Sequence, residues 1–519
     1  TTAEIRDMLE LFLLKEGIRP EFYESDYGRY AEEALYDNPG LVAFAPDVIY
    51  LHTTVANIER FPAPSDGPDE AAALLDAAFS RMAAVIASLE ARYGCLIVAN
   101  TLEHPPLRLL GNMDCVDHRG RTGFVNRYNL RLADFAAGRK GLLVHDLNHL
   151  AGRFGLDRWH DSAFWHAYKY AMCAEAIVHL GHSLASMLKS AFGRGRKCLV
   201  VDLDNTLWGG VIGDDGLEGL AIGRETPQAE AYVSCQQWAK SLRERGVMLA
   251  VCSKNERENA ELGFSHPDSV LSLGDFTQFF ANWLPKHENI TEIARAMNIG
   301  LDSIVFVDDN PAERAIVSSQ LPDVAVPELG PEITDYPGLV DRSGLFESLG
   351  LSADDLARSR YYTEDTRRCA SQSRFASYEE YLLSLDMRAE IRPFAPVFLE
   401  RIAQLTNKTN QFNLTTRRYS LAEIKAVAED ASMLHLYGRL TDCFGDSGLC
   451  LRPCLGAHRA GVWRVHGNSA LAHELPRAEA GAGDGHARRT VAPGLGARRA
   501  SGGGPVSQHG QEWHGRRAL

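Results

Sequence analysis

The chain has 519 residues, 45% of them hydrophobic and 24% charged, the composition of a globular protein. On a prior of ~150 residues per domain, that length fits roughly three or four domains. A formal net charge of −14 disfavours non-specific nucleic-acid binding. No run of about 18 apolar residues stands out in the sequence, so no membrane span is expected. Ten cysteines lack CxxC spacing, and Cys95, Cys198 and Cys252 sit in apolar runs, so reduced thiols and a cytoplasmic location are expected.

The chain enters a helix at once, with no strand before it and no signal or transit peptide, which suggests a missing N-terminal piece. "PDVIYLHT", "CLIVAN" and "KGLLVHDLNHL" are short apolar runs ending in polar residues, as buried parallel strands do. The helical stretch from Asp69 to Gly94 separates the first two, so residues 1–192 read as a βαβ domain of SGNH or flavodoxin-like type. Asp146 and His149 form a D-x-x-H pair after the third run. In SGNH hydrolases such a pair serves a nucleophilic serine, yet no Gly-Asp-Ser motif precedes it here. The same two residues also suit a solvated helix start.

Residues 193–343 carry the chemistry. "CLVVDLDNT", "VMLAVCSKN" and "SIVFVDDNP" are strand-like runs separated by helical sequence, which predicts a Rossmann-like parallel sheet with right-handed crossovers. Ligands bind at the carboxyl ends of such strands. Asp202, Asp204, Ser253, Asp308 and Asp309 would meet there, with Lys286 arriving from the helix before the last strand.

These residue types fit one reaction. Asp202 can attack phosphorus if Mg²⁺ offsets the repulsion between two anions. Asp204 can protonate the leaving group and then activate water. Ser253 and Lys286 can bind the phosphoryl oxygens. Asp202, Asp204, Asp308 and Asp309 are the candidate Mg²⁺ ligands. Cys252 is a candidate acyl-carrying thiol with Lys254 nearby, although strand alternation could equally turn it into the core. About fifty residues separate Asp202 from Ser253, and a Trp208–Gly223 flap and a helix occupy much of that interval. No room remains for a large cap, so an open site is expected.

"DLDNTLWGGVIGDDGLEGL", "CSKNE" and "FVDDNPAER" resemble the FkbH-like family of haloacid-dehalogenase proteins, as do "QLTNKTNQFNLTTRRYS" and "DCFGDSGL" further on. The likeness runs from about Lys197 to Leu449. It implies transfer of a glyceryl unit from 1,3-bisphosphoglycerate to an acyl carrier protein with loss of phosphate, for methoxymalonyl-type and other polyketide units. By position it aligns Asp202 and Asp204 with the family's first motif, Ser253 with the second, Lys286 with the third, and Asp308 with Asp309 with the fourth. It further implies that residues 344–450 form an acetyltransferase-like α/β domain. Two other functions stay open: a Mg²⁺ phosphatase acting on another small or carrier-bound phosphate, and a non-catalytic carrier-docking protein.

Residues 451–519 depart from the family. From Arg452 onward there are 10 Arg, no Lys and 4 acids, which leaves a net −20 on residues 1–451. The family's Ser-Cys-Arg and Thr-Ala-Lys-Asn motifs are absent as written. Shifted by one nucleotide, codons that could encode His473–Ala478 give Met-Ser-Cys-Arg-Val. The same shift of codons for Gln508–Gly515 gives Ser-Thr-Ala-Lys-Asn-Gly-Met. The tail is therefore expected to be out-of-frame and disordered, and the third domain to lack the strand after Gly448; a Gly/Arg-rich tail that binds an anionic partner is the other reading.

Overall fold

The computed structural model describes residues 2–26, 28–139, 141–351, 380, 383–399, 401–403, 421–430, 433–443, 445–459 and 462–466. The chain divides at Gly195/Arg196 into two compact units, with Phe346–Leu349 joining the first.

The first unit is built on three parallel strands in the order β1 (Val48–Leu51), β2 (Leu96–Asn100) and β3 (Leu142–His145). One face packs against α1 (Thr2–Lys15) and α5 (Ala174–Ala191), where Leu9, Leu13, Leu184 and Leu188 meet Val48 and Val98. The opposite face, Ile49, Leu51, Ile97 and Ala99, packs against α2 (Pro68–Tyr93) and α3 (Arg121–Ala136). Helices on both faces are why each strand reads as a continuous apolar run. Among the described residues, α2 alone is long and apolar enough to cross a membrane by length and composition. Its Leu75, Met82, Val85, Ile86 and Leu89 are buried in the core of this unit.

Asp146 precedes α4 (Leu147–Phe154) as its N-cap, and its Oδ1 accepts from the His149 backbone N–H at 3.1 Å and from Thr101 Oγ1 at 2.9 Å. The His149 side chain is exposed. The D-x-x-H spacing is thus a helix-start arrangement, one of its two readings.

The second unit begins with a four-stranded parallel sheet in the order β6-β5-β4-β7. Its strands are β4 (Cys198–Val201), β5 (Met248–Ser253), β6 (Gln278–Ala281) and β7 (Ile304–Val307). After β4 the chain passes α6 (Ile212–Asp215) and α7 (Pro227–Glu244), and α8 (Arg257–Gly263) follows β5. Then α9 (Lys286–Ala296) connects β6 to β7, and α10 (Pro311–Gln320) follows β7. Cys198, Val200, Met248, Ala250, Ile304 and Phe306 form one core with Ile290, Ile293 and Val317. Strand order runs outward from β4 through β5 to β6, then returns to place β7 on the other side of β4. The crevice between the carboxyl ends of β4 and β7 is therefore the switch point of the sheet. Val201 pairs with Val307 there, so Asp202 and Asp308 emerge side by side.

A separate antiparallel sheet has the order β11-β10-β9-β8. It comprises β8 (Arg388–Pro393), β9 (Met433–Asp442), β10 (Gly445–Arg459) and β11 (Val462–His466), with α11 (Leu421–Glu429) between β8 and β9. The expectation that the strand after Gly448 is lost is corrected. β10 continues through it, paired to β9 and β11, with register shifts between Asp446 and Cys454 that leave residues of β10 locally unpaired without ending the strand. The segment "NKTNQFNLTTRRYS" and residues 467–519 lie outside the described residues.

The N-cap role of Asp146 is testable. Asp146→Ala should lower the stability of this unit by about 0.5–2 kcal/mol, whereas His149→Ala should stay within about 0.5 kcal/mol. Equal, large losses in thermal unfolding for both variants would show that the two side chains act as a pair.

Candidate active site

Asp202 directly follows β4, and its N–H donates to Val307 O at 3.0 Å, which ties the nucleophile candidate to β7. Asp308 directly follows β7 and is fully buried, while Asp309 is half-buried. One oxygen from each of Asp202, Asp308 and Asp309 lies within 4.8 Å of the others.

Lys286 sits at the first position of α9, 4% exposed, with Nζ 3.0 Å from Asp202 Oδ2 and 2.5 Å from Asp308 Oδ2. A helix N-terminus repels a cation and burial disfavours its charge. Burial works to lower the lysine's pKa, but attraction to Asp202 and Asp308 outweighs it and holds the ammonium well above its usual range. Lys286 is thus a fixed positive charge.

Three carboxylates around one ammonium leave two negative charges in excess when all are ionised. Burial and the neighbouring Asp202 push Asp308 up to about 6, against the pull of Lys286. Burial likewise raises Asp309. Asp202 Oδ1 is buried without a hydrogen-bond partner among the described residues, a costly arrangement for a carboxylate oxygen unless something binds it. Hard oxygen donors, excess negative charge and an orphaned oxygen together fit a divalent cation held by Asp202, Asp308 and Asp309.

Asp204 is placed differently from the expected metal ligand. Its Oδ1 accepts from Trp208 Nε1 at 2.9 Å and from the Ile212 N–H at 3.1 Å, and its Oδ2 accepts from Asn255 Nδ2 at 2.8 Å. With both oxygens engaged, its carboxylate stands outside the three-carboxylate group formed by Asp202, Asp308 and Asp309. Burial raises its pKa, with the hydrogen bonds partly opposing. That favours the protonated form a general acid needs. Trp208 is itself fixed, because its ring lies over Gly263, where a Cβ would come within 2.7 Å of it.

Ser253 ends β5 and is buried beside the site. Cys252 takes the core position that strand alternation left open. It is fully buried in the core with Met248, Ile290 and Phe306, and its Sγ donates to Lys286 O at 3.6 Å. Burial drives its thiol pKa far up, which disfavours the thiolate. Nor does Lys254 activate it, since Lys254 Nζ pairs with Glu313 Oε1 at 2.6 Å.

Several residues in these motifs carry roles the motif positions alone do not assign. Thr206 Oγ1 accepts from the Asp309 N–H at 3.1 Å, and the Asn310 N–H donates to Asp308 Oδ1 at 2.9 Å. Arg314 Nη1 donates to the backbone oxygens of Asp308 and Asp309 at 2.7 and 2.8 Å, which fixes the turn that presents both acids. All belong to the quoted stretches "DLDNT" and "DDNPAER". Their place inside these motif stretches, just past the strand ends, was the available signal. Between Asp202 and Ser253 the described residues form only the flap with α6 and then α7, so no cap domain intervenes.

Among known proteins, a crystal structure of the N-terminal part of the protein BF1531 from Bacteroides fragilis, containing a phosphatase domain complexed with Mg, is similar to this chain. The TM-score is 0.62 and the identity 27%, over 67% of this chain and 91% of that one. No protein-family model and no curated protein matches.

The raised Asp308 pKa sets a pH dependence for cation binding. Its folded value lies above the ordinary 3.8, so the metal-free fold binds the extra proton and loses stability as pH rises towards about 6. A divalent cation must displace that proton. The rise in melting temperature on adding Mg²⁺ should therefore be small at pH 5, grow through pH 6–7, and vanish in Asp308→Asn. An equal rise at pH 5 and pH 8 would contradict this.

Proposed function

We propose that this chain is a magnesium-dependent phosphatase of the haloacid-dehalogenase type, with Asp202 as nucleophile. The observation that carries this reading is the buried Asp202–Lys286–Asp308 arrangement, with Asp202 Oδ1 left unpartnered. The likeness to a phosphatase domain complexed with Mg supports it.

The chemistry follows from what each residue can do. With Oδ2 held by Lys286, Asp202 is oriented and its carboxylate can attack phosphorus to form an aspartyl phosphate. The P–O bond to the substrate breaks as Asp204 gives its proton to the departing oxygen. Water then attacks the phosphoryl group, returns a proton to Asp204, and releases inorganic phosphate. Mg²⁺ held by Asp202, Asp308 and Asp309 would neutralise charge on the nucleophile and the phosphoryl oxygens. Lys286 and Ser253 supply the remaining positive charge and hydrogen bonding.

The family resemblance supports a finer reading: phosphate removal coupled to delivery of a glyceryl unit from 1,3-bisphosphoglycerate to an acyl carrier protein for polyketide assembly. The burial of Cys252 argues against it as the thiol that would carry the acyl group. Intact mass of a carrier protein after incubation with the enzyme, Mg²⁺ and 1,3-bisphosphoglycerate tests this. A gain of one glyceryl unit supports transfer, and phosphate release without that gain leaves the phosphatase reading alone.

The nucleophile assignment gives a sharper test. Asp202→Asn should lower phosphate release by about 10³-fold or more, because an amide neither attacks phosphorus nor ligates the cation as a carboxylate does. Retention of a tenth of the activity would overturn the assignment.

A further inference from the structure

The loop before Lys286 presents Trp283 and Leu284 to solvent, 67% and 54% exposed, and Val211 in the flap is 37% exposed. Isolated exposed apolar residues are ordinary. Trp283 and Val211 differ because hydrogen bonds of their own or their chain neighbours place them on the flanks of Asp204, and Leu284 is next to Trp283 in the chain. Trp283 Nε1 donates to Glu256 Oε1 at 2.7 Å, and Glu256 follows Asn255, whose side chain donates to Asp204 Oδ2. On the other flank, Val211 precedes Ile212, whose N–H donates to Asp204 Oδ1. The flap helix also meets the Asn255 loop: a Cβ on Gly213 would lie 3.9 Å from both Asn255 Oδ1 and Asn259 Nδ2.

In the phosphatase reading, on which this inference rests, Asp204 protonates the departing oxygen. Whatever is attached to that oxygen must then lie along the flanks of Asp204. We infer that Trp283, Leu284 and Val211 form the surface that receives the leaving group, and that the preferred substrate carries an uncharged apolar or aromatic group next to its phosphate. The Glu256 carboxylate works in the same direction. It pins the indole, so little rotamer freedom is lost on binding, and it repels a second anionic group at this place, which favours the plain phosphatase reading over 1,3-bisphosphoglycerate as the substrate dephosphorylated here. Trp283 and Leu284 select substrate without taking part in bond making.

The test uses the full chain with Mg²⁺ and two probes, p-nitrophenyl phosphate with an aromatic leaving group and acetyl phosphate with a small one. The measured quantity is the ratio of kcat/KM for the first to that for the second. Trp283→Ala should lower this ratio about tenfold, chiefly through a higher KM for p-nitrophenyl phosphate, the loss expected when an aromatic contact goes. Trp283→Phe should retain most of the ratio, because a ring remains. An unchanged ratio in Trp283→Ala would overturn the inference while the phosphatase reading stands. If the unaltered chain hydrolyses neither probe, the phosphatase reading fails and this inference falls with it.

Discussion

Burying three carboxylates around a single lysine is the constraint on which the catalytic region depends. Each acid taken from water costs several kcal/mol unless compensated, and Lys286 compensates only one charge. The sheet makes this crowding possible. Asp202 and Asp308 emerge from adjacent, in-register strands at the switch point, and α9 delivers Lys286 between them. Arg314 and Thr206 then hold the Asp308–Asp309 turn by its backbone, so the acids cannot swing apart to relieve their repulsion. A bound dication relieves it instead. The core beneath, with Cys252, Ile290 and Phe306, supplies the apolar floor that keeps water from doing so.

A second consequence concerns the two aspartates that follow β4. Asp202 keeps an oxygen free, whereas Asp204, two residues on, has both oxygens engaged by Trp208, Ile212 and Asn255. Two identical side chains are thereby given different duties, one poised for a cation and phosphorus, the other oriented as an acid with a raised pKa. The flap thus orients the acid, and no cap domain is inserted between Asp202 and Ser253 to do so.

Much of this was legible in the sequence because strand ends are. An apolar run that stops at a polar residue marks a carboxyl end, and the runs before Asp202, Ser253 and Asp308 all do so. Where a side chain turns is less legible. Cys252 and Ser253 are neighbours, and alternation says they diverge without saying which faces the core. The acid role of Asp204 is read from its spacing to Asp202, but its partners Trp208, Ile212 and Asn255 become visible only when the flap and the β5 loop meet. Asp146 and His149 have a spacing shared by a catalytic pair and a helix cap, and only the hydrogen bond from the His149 N–H separates the two. The continuation of β10 past Gly448 escaped because the out-of-frame reading discounted the residues that follow, which pair with β9 through register shifts.

The account's central claim is that phosphate passes through a covalent bond to Asp202. Its most direct test is to quench the enzyme during turnover of acetyl phosphate with Mg²⁺, reduce with borohydride, and map the modified residue by peptide mass. The account predicts reduction of aspartyl phosphate to homoserine at position 202, and none when a chelator is present. Phosphate release with position 202 unmodified, or modification at another carboxylate, would contradict it.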